Sequence, residues 1–331
     1  MERKDFIKTI LGTSTLLLTM EGISTLASAM SLQKSKELKH VNSDEIASFG
    51  AVHLNNTSLE KSITFWTKMI GMKLRSQSDS IAEFGTENKT LVVVHQTAKS
   101  VFKEGYSGLY HFAIHLATKK DLAKAIYRLQ QNKYSFSPID HTMTQSLYLR
   151  DDDNVLVELA FETPERFKRV ITEGGLFMED SDGTIRGASA PLDTEEILKS
   201  LIEKDLSKII NDGAKIGHIH FYAQDVTLNN EFYKKMGFTQ FNFFPQYKYA
   251  DLGAGGVYQH RVAMNSWHGN NKPLAPTTNA GLKHYQIVFK SKEQLQSAVK
   301  VIGNVEEKEG NYWATDPTGI KILLTHNVLI K

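Results

Sequence analysis

The sequence of 331 residues contains an internal duplication, which limits the folds that the chain can adopt. The string GLYHFAI at 108–114 recurs as GLKHYQI at 281–287. Two weaker matches flank this one in the same order, pairing 52–72 with 219–238 and 151–154 with 316–319. Three matches in one order indicate a duplicated domain. A chain of this length also suits two domains, because hydrophobic cores stop growing beyond roughly 250–300 residues.

Each copy divides further into two smaller units, in which one strand is followed by a helix and by further strands. Alternating apolar and polar residues predict the strands, and a switch to helical periodicity marks the helices between them. The clearest predicted strands are 51–55, 81–84 and 90–95 in the first copy and 218–222, 247–252 and 257–265 in the second. The pattern predicts an α+β protein with one domain at 46–163 and another at 214–331.

The segment between the copies, residues 164–213, is predicted to be a linker that contains a turn-rich stretch and one amphipathic helix. Asp193 and Glu196 have the spacing of a capping box at the start of this helix. Apolar residues follow at helical spacing and would form its buried face: Ile197, Leu198, Leu201, Ile202, Leu206 and Ile209.

The first 29 residues have the organisation of a cleavable export signal. Basic residues precede a short apolar run at 10–20, and the small-residue triplet 27–29 follows it. The start also resembles a twin-arginine signal in which Lys4 replaces one arginine. We therefore expect a mature chain that begins near Met30, with residues 30–45 as a leader, in the periplasm or outside the cell. A cytoplasmic location is the alternative if the signal does not function. No other stretch of the sequence is long and apolar enough to span a bilayer.

The formal net charge of +2 and the absence of cysteine exclude several classes of protein. The charge is too small for a nucleic acid or an anionic membrane to be the main partner. Without cysteine the chain forms no disulfide, no zinc–cysteine site, no iron–sulfur cluster and no thiol nucleophile.

A further motif is GHIHF at 217–221, followed by Asp225. It resembles the first unit of the domains of the vicinal oxygen chelate superfamily, which contains glyoxalases, bleomycin-resistance proteins and extradiol dioxygenases. The strings that resemble bacterial catechol 2,3-dioxygenases are GLYHFA at 108–113, DH at 140–141, PLD at 191–193 and NSWHG at 265–269. The resemblance extends over residues 46–331. It implies two tandem domains, each of paired βαβββ units that form an open barrel. It also implies the opening of a catechol ring by O₂ with Fe(II) or Mn(II).

The resemblance further implies where the metal ligands lie. Family members take one His from each unit of the second domain and a Glu from its last strand. His218 and His284 occupy the two histidine positions, but Leu323 occupies the Glu position. The equivalent positions of the first copy give an alternative triad of His53, His111 and Glu158, with His53 displaced by one pleat along its strand.

The residues that support catalysis in the family are replaced as well, which leaves His260, Arg261 and Tyr312 as the catalytic candidates. Arg261 occupies the position of the acid–base histidine, with His260 beside it. Trp313 occupies the position of the active-site tyrosine, with Tyr312 beside it. Arginine cannot accept a proton from a catechol hydroxyl. Strand alternation would direct His260 away from the face of Arg261 unless a bulge intervenes.

Three functions remain as alternatives. The first is a catechol-type dioxygenase that uses a small aromatic molecule and O₂. The second is a metal-free protein that binds small aromatic acids, with Arg261, Lys321 and Trp313 contacting the ligand beside the two histidines of the second domain. The third is another metal-dependent reaction of the superfamily. Whether the chain is an enzyme, whether it holds a metal and whether it forms a homo-oligomer stay open at this stage.

Overall fold

The computed structural model describes residues 45–326, in which one strand–helix–strands unit occurs four times. The first unit comprises β1 (Ala47–Asn56), α1 (Leu59–Thr64) continued by a π-helix (Phe65–Ile70), β2 (Lys73–Gln77), β3 (Ile81–Gly85) and β4 (Thr90–Gln96). The second comprises β5 (Gly108–His115), α2 (Lys119–Gln131), β6 (Ser137–Asp140), β7 (Thr144–Arg150) and β8 (Leu156–Glu162). The predicted export signal and the leader up to residue 44 lie outside the described residues.

The remaining elements follow in chain order. Between the copies lie β9 (Phe167–Ile171), β10 (Phe177–Asp180), β11 (Ile185–Gly187), β12 (Ala190–Pro191) and α3 (Thr194–Leu198). The third unit comprises β13 (Lys215–Tyr222), α4 (Val226–Lys235), β14 (Thr239–Phe244), β15 (Tyr249–Gly253) and β16 (Val262–Asn265). The fourth comprises β17 (Gly281–Phe289), α5 (Lys292–Ile302), β18 (Glu306–Lys308), β19 (Asn311–Thr315) and β20 (Lys321–His326). No helix within residues 45–326 is both long enough and apolar enough to cross a membrane.

The helix of each unit begins just after the first strand, at a residue whose side chain caps it. Ser58, Thr118, Asp225 and Ser291 each accept a hydrogen bond from the backbone N–H three residues further on. Such caps satisfy backbone donors that the first helical turn leaves free. The same local solution in all four units is what a duplicated sequence predicts.

The four units combine into two large sheets, and the pairing of the units differs from the tandem arrangement expected above. β1 runs antiparallel to β17, so the first and fourth units form an eight-stranded sheet in the order β18-β19-β20-β17-β1-β4-β3-β2. β5 runs antiparallel to β13, so the second and third units form a nine-stranded sheet in the order β12-β6-β7-β8-β5-β13-β16-β15-β14. The fold class is confirmed, but each sheet takes one unit from each copy. The first strand of each unit has one edge that can pair with the first strand of another unit. Because the four strands are similar in sequence, the sequence predicts that units pair but does not identify the partner of each unit.

One face of each large sheet contributes to a continuous hydrophobic core, in which β1 and β13 contact each other. Val52, Phe112, Ile219 and Tyr285 of the four first strands are fully buried on these faces. Successive residues of a strand point to opposite faces. The histidines that neighbour these core residues in sequence therefore lie on the outward faces of the two sheets, and the two candidate sites are found there.

The segment between the copies differs from the predicted linker in two ways. Its helix α3 ends at Leu198, although Asp193 caps it as predicted by accepting from the backbone N–H of Glu196 at 3.0 Å. Ile202, expected on a buried helix face, is 73% exposed. At the end of the helix the hydroxyl of Ser200 donates to the backbone carbonyl of Ile197 at 2.7 Å, an acceptor that a longer helix would need. Further on, the guanidinium of Arg128 binds the backbone carbonyls of Leu206 and Lys208, each at 2.9 Å.

The turn-rich part of the same segment forms a three-stranded sheet of β9, β10 and β11. Phe167 of β9 packs with Met143 and Tyr258 in a small separate hydrophobic cluster. Tyr258 in turn lies beside His115 and His218, with ring centroids 5.1 and 6.5 Å apart. The small sheet therefore packs close to the outward face of the nine-stranded sheet.

Candidate metal centre

Three side chains converge on the outward face of the nine-stranded sheet: His111 of β5, Glu158 of β8 and His218 of β13. Nε2 of His111 lies 3.1 Å from Nε2 of His218. Oε2 of Glu158 lies 3.1 Å from the first of these nitrogens and 3.0 Å from the second. All three residues are at most 2% exposed. Within residues 45–326 they are the one group of three His or carboxylate side chains close enough to share a metal ion.

The register of three neighbouring strands explains this convergence. β5 lies between β8 and β13, and Ala113 of β5 is opposite Glu158 on one side and His218 on the other. His111 precedes Ala113 by two residues and therefore shares its face. The small methyl group of Ala113 leaves space in which the three longer side chains meet.

The spacing of the three ligand atoms fits one face of an octahedral metal site. Ligand atoms about 2.1–2.2 Å from a metal and at right angles to one another are themselves about 3.0–3.1 Å apart. Two histidines and one carboxylate in this facial arrangement leave three further positions for substrate or solvent, as in non-haem Fe(II) sites. The residues present therefore fit a divalent cation.

Buried polar atoms without hydrogen-bond partners also indicate a cation site. Both carboxylate oxygens of Glu158 and Nδ1 of His111 lack a partner within the described part of the chain. The imidazoles are near Glu158, but their approach lacks hydrogen-bond geometry. A carboxylate buried in this way is costly, and a divalent cation would supply its counter-charge. Burial lowers the pKa of His111 and of His218, which leaves both imidazoles neutral and able to act as ligands.

A chain of hydrogen bonds behind His218 fixes which of its nitrogens faces the triad. Glu162 accepts from Nδ1 of His115 at 2.7 Å, and Nε2 of His115 lies 2.9 Å from Nδ1 of His218. A carboxylate only accepts, so His115 carries its proton on Nδ1 and accepts from His218 through Nε2. Nδ1 of His218 is therefore protonated, and the lone pair of its Nε2 points to the triad. Such outer partners orient metal-binding histidines.

Arg261 supports this chain and is not available to a ligand. Its Nη1 lies 2.7 Å from Glu162 and its Nε lies 2.9 Å from Glu45. Its guanidinium also stacks over Tyr258 at 4.5 Å, and the residue is 4% exposed. Although burial opposes ionisation, His115 and Arg261 hold the pKa of Glu162 well below its usual range. The expected contact of Arg261 with a substrate is therefore corrected, because two carboxylates already occupy it.

His260 lies at the triad, in contrast to the expectation from strand alternation. The predicted strand 257–265 is formed only from Val262 onward, so His260 belongs to the preceding loop, where alternation does not apply. Its ring centroid is 4.7 Å from that of His218. Nδ1 of His260 lies 2.7 Å from Asp251 and 3.1 Å from the hydroxyl of Tyr249. Its Nε2 makes no hydrogen bond within residues 45–326, so an oriented imidazole with one free nitrogen stands beside the triad.

Tyr148 and His220 also lie at the triad. No role for Tyr148 was predicted from the sequence, and for His220 the sequence favoured an exposed position on the face of His218. The Tyr148 ring is 5.4 Å from that of His111, and its hydroxyl lies 3.0 Å from Nε2 of His141. His220 is 4% exposed and accepts from the side-chain amide of Asn265 at 2.9 Å. A signal for Tyr148 was present, since it precedes Glu158 by the ten residues that separate Trp313 from Leu323.

The structure separates several residues that the sequence placed in one site. His284 lies in the eight-stranded sheet, where its ring stacks on that of His53 at 3.9 Å. The pair of His218 with His284 and the triad of His53 with His111 and Glu158 are therefore not formed. The triad instead combines one residue of the first assignment with two of the alternative. The pairing of units explains this, because the neighbour of β5 is β13 and the neighbour of β17 is β1.

The remaining candidates belong to the eight-stranded sheet. Trp313 is opposite Leu323, and Lys321 lies two residues before Leu323 on the same face. Tyr312 is on the other face of β19, opposite Leu324, and packs against the core. Tyr312 therefore does not belong to the triad, and Lys321 and Trp313 do not share a pocket with Arg261.

Comparisons with known proteins agree with this fold. The family model for the Glyoxalase/Bleomycin resistance protein/Dioxygenase superfamily matches residues 44–159. Catechol-2,3-dioxygenase of Bacillus subtilis (strain 168) is 29% identical over 276 residues, which are 81% of this chain and 93% of that protein.

Two solved structures show a similar fold. One is a protein of Bacillus subtilis subsp. subtilis strain 168 whose assignment as a dioxygenase is provisional, with a TM-score of 0.52 and 10% identity over 84% of this chain and 85% of the other. The second is a mutant of glyoxalase I from Zea mays, with a TM-score of 0.50 and 14% identity over 85% of this chain and 94% of the other. Residues 44–159 match the family model, and with its four βαβββ units the chain is similar in sequence and fold to the glyoxalase/bleomycin resistance/dioxygenase superfamily.

Proposed function

We propose that the chain is a metal-dependent dioxygenase that opens a catechol-type ring, with His111, Glu158 and His218 as ligands of Fe(II) or Mn(II). The observation that carries this proposal is the facial spacing of three ligand atoms around a buried carboxylate without hydrogen-bond partners. The relative named catechol-2,3-dioxygenase supports the substrate class, since the similarity spans 81% of this chain.

When bound, a divalent ion supplies Lewis acidity and neighbouring positions for a catechol and for O₂. Both oxygen atoms enter the product and one ring C–C bond breaks, so the reaction needs no external reductant. The contribution of the chain is to hold the ion through two neutral imidazoles and one carboxylate, and to receive the protons of the catechol hydroxyls.

His260 is the residue that we assign to proton transfer. With its proton on Nδ1 and bonded to Asp251, its free Nε2 accepts a proton from a catechol hydroxyl, and Asp251 stabilises the imidazolium that results. Tyr148 lies elsewhere around the triad. Burial and nearby Glu158 raise the pKa of Tyr148 well above its usual value, so its hydroxyl acts as a donor and not as a base.

The aromatic surroundings of the triad suit a flat substrate. The ring of Tyr110 lies 4.9 Å from that of His220, and the rings of Tyr249 and Trp267 are stacked 6.4 Å apart. Trp267 is 41% exposed, whereas the triad is buried. The rings thus lead from solvent to the triad and exclude water around an aromatic ring.

The proposal is tested by metal binding and oxygen uptake of the purified chain. We expect one Fe(II) or Mn(II) per chain after anaerobic reconstitution, and one O₂ consumed per catechol. Glu158→Gln should bind the metal at least ~100-fold more weakly, because an anionic ligand is lost.

Glu307→Gln, at an exposed position of β18, is the matched control and should change neither property. Equal metal contents of the wild type and Glu158→Gln would refute the ligand assignment. Stoichiometric metal without oxygen uptake would refute the dioxygenase and favour another metal-dependent reaction of the superfamily.

A further inference from the structure

The outward face of the eight-stranded sheet carries a second cluster, at positions equivalent to those around the triad. The matching strings GLYH and GLKH place His284 at the position of His111 and Lys283 at that of Tyr110. His53 faces His284 across β1 and β17 as His220 faces His111 across β13 and β5. This face therefore retains histidines, but Lys283 replaces Tyr110 and Leu323 replaces Glu158.

The histidines of the second cluster contact one another. Nδ1 of His53 lies 3.1 Å from Nε2 of His95, and Nδ1 of His95 lies 3.3 Å from Nζ of Lys283. The rings of His53 and His284 are stacked 3.9 Å apart, and the ring of Trp313 meets that of His284 at 4.8 Å. A bulge in the register next to Lys283 turns its side chain to this face.

The hydrogen bonds leave this cluster with free donors. The ammonium of Lys283 can only donate, so His95 accepts through Nδ1 and carries its proton on Nε2. His53 then accepts through Nδ1 and carries its own proton on Nε2, which has no hydrogen-bond partner within residues 45–326. The cluster ends in an N–H that points to no acceptor of the described chain.

The cluster also has a positive charge that no carboxylate neutralises. Lys283 and Lys321 are exposed and form no ion pair within residues 45–326. Burial, followed by the neighbouring histidines and lysines, lowers the pKa of His53 to about 3 and that of His284 to about 4, so the imidazoles are neutral donors. Two carboxylates share this face. Glu83 lies two strands away from β1, where it accepts from the hydroxyl of Thr90. Glu306 lies opposite Trp313 on the exposed strand β18 and pairs with neither lysine.

We propose that this face is a second ligand site, which binds a small aromatic carboxylate through Lys283, Lys321, His53, His95, His284 and Trp313. Ammonium and N–H donors suit the carboxylate, and the rings of Trp313 and the histidines suit a planar body. A metal ion is disfavoured here, because Leu323 replaces the anionic ligand and two lysines repel a cation. The site is independent of the metal-dependent reaction proposed above.

Calorimetry of the full chain with benzoate as the probe tests this proposal. We expect one benzoate per chain, with an affinity that falls as salt is added. Benzyl alcohol, which lacks the charge, and acetate, which lacks the ring, should each bind on the order of tenfold more weakly. Lys283→Gln and Lys321→Gln should each weaken benzoate binding on the order of tenfold.

Lys300→Gln is the matched control, since Lys300 is also an exposed lysine and belongs to α5, which packs on the other face of the same sheet. Histidine ring signals in NMR spectra should shift on benzoate addition for His53 and His284, and not for His111 and His218. No heat with benzoate, an equal loss in Lys300→Gln, or shifts confined to the triad histidines would each overturn the proposal.

Discussion

His115 is the residue that decides how His218 presents itself to a metal. It touches no ligand position, but it accepts from Nδ1 of His218 and donates to Glu162. Glu162 and His218 together fix the His115 tautomer that has its proton on Nδ1. His115 and Arg261 in turn keep Glu162 ionised. His115 is therefore a positioning residue.

His115→Leu should weaken metal binding by about 10–100-fold, the usual effect of losing an outer partner of a ligating histidine. His115→Gln should restore part of the loss, because its amide can accept from His218 and donate to Glu162. Metal titrations of the three proteins, with circular dichroism to verify folding, measure this. An unchanged affinity in His115→Leu would show that His218 needs no partner to hold its orientation.

For single residues, the sequence predicted the chemistry of a side chain but not the partners that determine its role in the folded chain. Arg261 has the chemistry of an anion anchor, but Glu45 and Glu162, distant in sequence, neutralise it. The direction of the His260 side chain stayed open because the start of β16 could not be read from the apolar pattern of residues 257–265. A strand boundary displaced by a few residues is enough to reverse the direction of a side chain.

Among the elements, two polar turns recur with the same construction. Asp316 accepts from the backbone N–H groups of Thr318 at 3.0 Å and Ile320 at 2.8 Å between β19 and β20. Asp151 does the same between β7 and β8, with backbone donors two and four residues further on. These turns are the sequence match between 151–154 and 316–319, which the carboxylates explain. Burial raises the pKa of both carboxyl groups to about 6.

This shift predicts a dependence of stability on pH. The pKa of Asp316 is higher in the folded chain than the ordinary value of 3.8, so the folded state binds the proton more strongly. Its contribution to stability is fully present below pH 3.8 and is lost as the pH rises through about 6. Asp316→Asn keeps an acceptor but cannot ionise.

Relative to the wild type, the unfolding free energy of Asp316→Asn should therefore gain roughly 2–3 kcal/mol between about pH 4 and pH 7. Urea unfolding at a series of pH values measures the difference. Asp79→Asn, at an exposed position, serves as the reference and should show no such trend. A constant difference across the range would mean that the pKa of Asp316 is the same in the folded and the unfolded chain.

Element prediction succeeded where periodicity and caps act locally. Alternation identified β1, β3, β4 and β13 within a few residues of their ends. The helix after Asp193 was overestimated, because the periodic apolar residues up to Ile209 continue beyond Ser200, whose hydroxyl donates to the backbone carbonyl of Ile197. Apolar periodicity contains no information about such a side-chain competitor.

For the whole molecule, the pairing of β1 with β17 can be tested directly because the chain has no cysteine. Ser48 lies opposite Val288 in these strands, and such antiparallel neighbours are close enough for a disulfide. Ser48→Cys combined with Val288→Cys should form an intramolecular disulfide. Mass spectrometry of the intact protein without reductant detects it.

In the tandem arrangement the partner of β1 would be β5, where His115 is equivalent to Val288. Ser48→Cys combined with His115→Cys is therefore the matched control, and we expect both thiols to stay free. A disulfide in the control and none in the first pair would reject the sheet order described here.

The pairing of β5 with β13 also explains why the sequence predicted the three triad residues but not their common site. The sequence identified His111, Glu158 and His218 individually from their positions in the repeated units. It assigned them to two different sites, because a repeat shows which positions are equivalent and not which copies meet. Only the exchange of units between the copies brings β8, β5 and β13 side by side.

The same exchange sets an order of events for the nascent chain. All strands of the nine-stranded sheet lie within residues 137–265 except β5, which begins at residue 108, so this half is complete once the third unit has left the ribosome. β1 is made first but must wait for β17, since Ala47 pairs with Phe289. Contacts so distant along the chain slow folding, and until they form an apolar strand edge is open to wrong partners. The chain is therefore expected to fold from its middle outward, with the candidate metal centre assembled before the terminal units close.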